Sequence, residues 1–207
     1  MKDEKLEYLK GTTTVGIVCA DGVVLATDTR ATMGYEVASK MARKIYRITD
    51  TIAFTVAGGV ADTQHLVELM KAEAGYYEMS EGKPMGARAC AKQVSAIMNS
   101  NRFFPYLANL LVGGMDEGAP ALFFLDMDGG MTEEKMVATG SGSPVAYGVL
   151  ENEFREGMKV KEALPVVVKA VRTAMKRDIA TGNEVMVAAV TREGYRELTP
   201  EEIKNLS

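Results

Sequence analysis

Residues 12–28 read TTTVGIVCADGVVLATD, and this stretch decides the fold. Two runs rich in β-branched and apolar residues, 12–19 and 22–28, flank Asp21-Gly22, a dipeptide suited to the tight turn of a β-hairpin. Outward from it, 45–48 (IYRI) and 51–57 (TIAFTVA) repeat the arrangement around Thr49-Asp50. The period then changes. After Asp62, read as an N-cap, Leu66, Met70, Ala74 and Tyr77 recur at helical spacing. A second helix is expected after Pro84, with Cys90, Val94, Ile97 and Met98 on one face. Strands return at 110–113 and 121–125, the latter entering a turn at Asp128-Gly129-Gly130. Ser143-Pro144 reads as an N-cap followed by proline at the first helical position, opening a helix through Leu150 and Phe154. Leu164, Val168, Val171 and Met175 mark a fourth helix ending near Gly182. Pro165 belongs in its first turn or else kinks it. Strands 185–191 and 194–198 close the chain around Glu193-Gly194.

The order is strands, two helices, strands, two helices, strands. Hairpin connections favour antiparallel sheets, and near-continuous apolar strands imply cover on both faces. The pattern therefore predicts an α+β fold of layered sheets, with a helix pair able to cap each outer face of a two-sheet stack. Neither a repeat nor a Pro/Ser-rich linker divides the 207 residues, so a single domain is expected.

Composition removes several function classes. The 24 basic and 28 acidic side chains give a formal charge of −4, which argues against a basic nucleic-acid footprint. No apolar run approaches the length of a membrane span. The opening MKDEKLEYLKG has no apolar core and does not read as a secretory signal. Two cysteines, Cys19 and Cys90, are too few for a disulfide framework and sit in apolar stretches, as buried thiols do. With a single histidine, His65, there is no multi-histidine metal site, and any general base is expected to be another group.

Three constellations carry chemistry. Gly11-Thr12-Thr13-Thr14 follows a mixed-charge leader and opens a strand. The plain reading is a β-branched strand start. The chemical one is a threonine hydroxyl served by its own α-amino group, a base with an unperturbed pKa of about 7.7–8 that exists only once the Gly11–Thr12 bond is cut. The second is Asp28-Thr29-Arg30 with Lys44 sixteen residues after Asp28. These charges are either solvated surface or, bordering apolar strands, partners that neutralise each other. The third comprises Gly58-Gly59, Gly140-Ser141-Gly142-Ser143 and Arg177-Asp178-Ile179-Ala180-Thr181-Gly182. Glycines at strand ends can aim N–H groups at an oxyanion, whereas GSGS could be only a helix cap.

Leader-Gly-Thr, DTRAT, the lysine after SKMAR, AGGVADTQ, GSGSPVAYGVLE and RDIATG stand in one order across the whole chain, and the resemblance they carry runs from Thr12 to about Val190. Together they resemble the archaeal-type proteasome beta subunits, which are N-terminal nucleophile hydrolases. The resemblance implies a four-layer αββα sandwich, two antiparallel sheets between helix pairs. It implies a threonine endopeptidase whose propeptide, residues 1–11, is removed by its own attack at Gly11, leaving 12–207 as the mature domain. Thr12 then corresponds to the nucleophile, Lys44 to the essential lysine and Asp28 to the carboxylate that holds it. Gly58 N–H corresponds to the oxyanion donor, and Ser141 and Asp178 to the groups that hold the amine and a reactive water. Thr181 stands where the family usually has serine, so a hydroxyl survives with an extra methyl to house. Ala31 and Thr32 correspond to the strand beside which substrate is added, and Val56 to the pocket for the residue before the cut (P1), with Ala31 and Ala42 near an apolar floor.

The resemblance further implies alpha-subunit partners, heptameric beta rings back to back, unfolded polypeptide as substrate, an ATP-dependent unfoldase cap acting indirectly, a cytoplasmic location and no cofactor. Two other readings share the fold: a catalytically silent ring subunit, and a small-molecule amidase of the same superfamily. Gly11, Thr12, Asp28 and Lys44 together speak against the first, and a threonine nucleophile against the second.

Overall fold

A computed structural model describes residues 11–206; the expected propeptide, apart from Gly11, lies outside the described residues. The hairpin read from 12–28 forms as β1 (Thr14–Val18) and β2 (Gly22–Asp28), which pair antiparallel with Thr14 opposite Thr27 and Val18 opposite Val23. Strands β10 (Met136–Thr139) and β11 (Val185–Thr191) flank them, and β12 (Gly194–Glu197) completes the order β10-β1-β2-β11-β12. The second sheet runs β5-β6-β7-β8-β9, from β5 (Ile45–Arg47), β6 (Ile52–Gly58), β7 (Ala108–Asp116), β8 (Ala119–Leu125) and β9 (Met131–Glu133). A separate ribbon of β3 (Ala31–Met33) and β4 (Glu36–Ser39) follows β2.

Alternation along the strands builds the layers. Val15 and Ile17 of β1, with Val24 and Ala26 of β2, join one apolar cluster with Leu150, Val167 and Val171. These last belong to α3 (Ser143–Glu153) and α4 (Val160–Met175). Val23 and Leu25 turn the other way and meet Ala53, Leu111 and Leu122 of the second sheet. Ile52, Phe54 and Val56 in turn pack on Leu66, Met70, Cys90 and Val94 of α1 (Val60–Glu81) and α2 (Ala87–Ser100). The result is the expected αββα sandwich, with a short α5 (Pro200–Lys204) closing the last hairpin.

Four local expectations need correction. Gly59, not Asp62, is the N-cap of α1; β6 runs straight into the helix, and the Asp62 carboxylate instead accepts the Leu107 N–H at 2.8 Å. Gly142, not Ser143, caps α3, because Ser143 N–H already turns back to the Gly140 carbonyl. Helix α4 begins at Val160, so Pro165 lies beyond its first turn, inside the helix. It also ends at Met175 rather than near Gly182: Asp178 N–H returns to the Ala174 carbonyl and the chain leaves the helix as a loop over 176–184.

Candidate active site

The site lies where the residues leading into β1, Gly11 to Thr13, meet the ends of β2 and β6 and the loops before α3 and β11. Asp28 is its hub. Fully buried at the last position of β2, its carboxylate takes four donors. Oδ1 accepts the Thr13 N–H at 3.0 Å and Lys44 Nζ at 2.9 Å, and Oδ2 accepts the N–H groups of Arg30 and Gly182, both at 3.0 Å. A buried charge left unpaired would be costly, and this one is saturated. Lys44, just before β5 and also buried, donates a further bond to the Gly11 carbonyl oxygen at 3.4 Å. Burial pulls its pKa below the ordinary 10.5; Asp28 and Asp178 pull it up, and Arg30 adds to the lowering.

Thr12 faces the same oxygen. Its Oγ1 donates to the Gly11 carbonyl at 2.5 Å, so hydroxyl and ammonium converge on the bond between residues 11 and 12. Space around that bond is tight: a Cβ at Gly11 would stand 2.5 Å from Thr32 Oγ1.

A second cluster stands beside it. Ser141 Oγ and Thr181 Oγ1 each donate to Asp178 Oδ2 at 2.5 Å, and Ala180 N–H reaches Oδ1 at 3.3 Å. Each hydroxyl has one proton. With that of Thr181 on Asp178, the 2.7 Å contact between Thr13 and Thr181 has Thr13 as donor. Ser141 Oγ also lies 3.5 Å from the Thr12 carbonyl, a much longer contact than its bond to Asp178. The methyl of Thr181 finds room: the residue is fully buried while its hydroxyl makes both bonds.

Gly58 ends β6 with φ 155°, and a Cβ there would sit 2.1 Å from the Leu107 carbonyl oxygen, so only glycine fits. Strand alternation fixes where its N–H points. Val56 N–H donates to Lys44 O on the β5 side and Gly59 N–H to Leu107 O on the β7 side. Gly58 N–H therefore leaves on the Val56 side, past the last β5 rung, where the cavity opens. That cavity, about 300 Å³, is lined by Thr12, Lys44 and Gly58 and by Ala31, Thr32, Ala42 and Val56. A larger one, about 720 Å³, lies among the turns around Asp21, Gly118 and Arg192 and contains none of the candidate residues.

All the candidates thus fall in one place: Thr12, Lys44 and Asp28 as one cluster, Ser141, Asp178 and Thr181 as a second, and Gly58, Ala31, Thr32 and Val56 around the cavity. The reading of the sequence missed Thr13, which joins the two clusters through its N–H on Asp28 and its hydroxyl on Thr181. The triple threonine was the available signal. No helix among the described residues is long and apolar enough to cross a membrane.

Residues 8–190 match the family described as "Proteasome subunit". Among curated proteins named "Proteasome subunit beta", that of Methanopyrus kandleri is 52% identical over 203 residues, covering 97% of each chain. That of Methanosarcina barkeri is 49% identical over 201 residues, covering 97% of this chain and 95% of its own. The protein from Methanocaldococcus vulcanius is 50% identical over 203 residues, covering 97% and 91%. With this fold and this convergence of residues on one cavity, the chain belongs to the proteasome subunit family, a protease family, and within it to the beta subunits.

Proposed function

We propose that the chain is a threonine-type endopeptidase that cuts its own Gly11–Thr12 bond and thereafter hydrolyses unfolded polypeptides. One observation carries the reading: the Thr12 hydroxyl and the buried Lys44 ammonium meet at the Gly11 carbonyl. In the first turnover Thr12 Oγ1 attacks the Gly11 carbonyl carbon, its proton passing to water since no α-amine yet exists. The C–N bond breaks as the Thr12 nitrogen takes up a proton from water, which frees the Thr12 amine and leaves residue 11 joined to the Thr12 side chain as an ester. Water then hydrolyses the ester, releasing residues 1–11 as a carboxylic acid and restoring the Thr12 hydroxyl.

That amine is then the base for substrate. It takes the hydroxyl proton as Oγ1 attacks a peptide carbonyl, hands it to the departing amine, and draws a proton from the water that cleaves the ester. Lys44, held by Asp28, contributes its charge, which disfavours protonation of the amine and hydroxyl beside it. Gly58 N–H supports the oxyanion, an effect typically worth roughly 2.7–4 kcal/mol per donor. Asp178, Ser141 and Thr181 orient the amine and the water. Substrate lies along β3, which among the described residues pairs only with β4, and its P1 side chain enters the space lined by Ala31, Ala42 and Val56, favouring apolar residues.

In this reading the subunit assembles with alpha subunits into a core particle with heptameric beta rings back to back, in the cytoplasm, fed by an ATP-dependent unfoldase. Intact mass after co-expression with an alpha subunit tests it. The wild type should lose residues 1–11 and hydrolyse peptides, whereas Thr12→Ala should keep them and be inactive. A processed, active Thr12→Ala particle would refute the reading.

A further inference from the structure

Asp178 and Thr181 sit on the loop 176–184, outside both helix and sheet, yet they must keep register with Thr12 across the chain. Part of that register comes from Gly182 N–H on Asp28 and Thr13 on Thr181. The end of the loop is tied by Glu184 N–H on Thr29 Oγ1 at 3.0 Å, and its middle by the side chain of Arg30. Arg30 Nη1 donates to the Ile179 carbonyl at 2.7 Å and Nε to Asn183 Oδ1 at 3.0 Å, bonds that straddle Thr181 on both sides. Its guanidinium lies flat over Gly182, where an added Cβ would be 2.3 Å from Cζ. The backbone of the same residue donates to Asp28 Oδ2. Arg30 therefore grips the Asp28–Lys44 cluster with its main chain and the Asp178 loop with its side chain.

We propose that Arg30 is a positioning residue that sets the Asp178–Thr181 loop against Thr12, Asp28 and Lys44. The proposal rests on the peptidase reading above. Arginine is required because two acceptors at fixed separation and a glycine face together match a planar fork; a lysine offers one point charge and no plane. Ala31 follows Arg30 in the chain, but the Arg30 side chain makes its bonds to Ile179 and Asn183 and not to the cavity walls at Ala31, Ala42 and Val56, so losing this side-chain strap should disturb the reaction more than the binding of substrate.

The test uses assembled particles co-expressed with an alpha subunit and a fluorogenic peptide substrate. Arg30→Ala should lower kcat by on the order of 10- to 100-fold, the scale set by small misplacements of reacting groups, with KM little changed. Arg30→Lys should not restore it. Gly182→Ala, whose methyl would displace the guanidinium, should give a similar loss, and Arg30→Ala with Gly182→Ala should be no worse than either alone. Asn183→Gly, which keeps a residue tolerant of the positive φ of 72° and removes one acceptor, should give a smaller fall in kcat. Wild-type kcat in assembled Arg30→Ala particles, or full rescue by lysine, overturns the proposal. If Arg30→Ala does not assemble, wild-type kcat in Asn183→Gly overturns it instead. A Thr12→Ala control separates the two ideas. Its inactivity alongside normal kcat in Arg30→Ala removes only the strap, whereas its activity removes the peptidase reading itself.

Discussion

Asp28→Asn is the sharpest test of how the site is held together. In place of a carboxylate with four donors, asparagine offers one acceptor oxygen and an NH2 group that must face two existing N–H groups. It also leaves Lys44, whose side chain is 8% exposed, without its counter-charge. Breaking a buried pair from one side costs about 3–5 kcal/mol, and each stranded donor about 1–3 kcal/mol, terms that overlap rather than add. A loss of about 3–5 kcal/mol in a chain of this size corresponds to a fall in Tm of roughly 6–20 °C. The measurement is thermal unfolding in a Thr12→Ala background, which keeps residues 11 and 12 joined as they are in this structure. Lys44→Met should also destabilise, but the double variant should lose less than the sum of the two, by about 0.5–3 kcal/mol, because no lone charge remains. A Tm shift below about 2 °C for Asp28→Asn, or strict additivity in the double variant, would show that the pair and its four-donor hub are not what anchors the site.

Two further outcomes follow from the same geometry. Gly58→Ala should abolish peptide hydrolysis, since its Cβ would meet the Leu107 carbonyl oxygen at 2.1 Å and must swing the neighbouring N–H off its line; wild-type kcat in this variant would exclude that N–H as the oxyanion donor. Activity should fall on the alkaline side at a pH below 10.5, because burial lowers the Lys44 pKa and Arg30 assists while Asp28 and Asp178 oppose. The sign for stability is opposite. The folded chain holds this proton less tightly than the unfolded chain, so the lysine's contribution favours folding increasingly as pH rises from its folded pKa to 10.5. Activity falling while the Tm difference between wild type and Lys44→Met moves toward wild type is the expected pair of pH profiles.

The layers were legible in the sequence because the long strands obey simple rules. β1, β2, β6 and β8 are apolar runs bounded by turn residues, and each packs one face on helices and one on the opposite sheet. The elements that pattern alone did not announce are short. β3, expected only through the resemblance, and β4 (ATM and EVAS) are mostly exposed, while β9 and β10 are three and four residues long, too short for alternation to mark them even though β10 is largely buried. The end of α4 was misread for the converse reason. Ile179 prolongs the apolar character of the helix into the loop, yet it is 77% exposed and packs into no core. An apolar residue that serves no core is indistinguishable, in a sequence, from one that does.

The site divides in the same way. Asp28 and Lys44 could be suspected as a pair because both border buried strands, where an unmatched charge is costly. Ser141, Asp178 and Thr181 could not. They are ordinary loop residues until the fold brings the Ser141 and Thr181 hydroxyls each to 2.5 Å from the Asp178 carboxylate, and only resemblance to the family gave them roles. What joins the two clusters is less visible still: the peptide N–H groups of Thr13 and Gly182, both spent on Asp28. Every residue except proline carries an N–H, so no side-chain pattern can mark those two as special. Their selection comes from β1 starting beside the last residue of β2 while the 176–184 loop crosses over both. The Asp28–Lys44 pair could therefore be suspected from residue types, but its alignment with the Asp178 cluster depends on backbone donors that only the folded chain assigns.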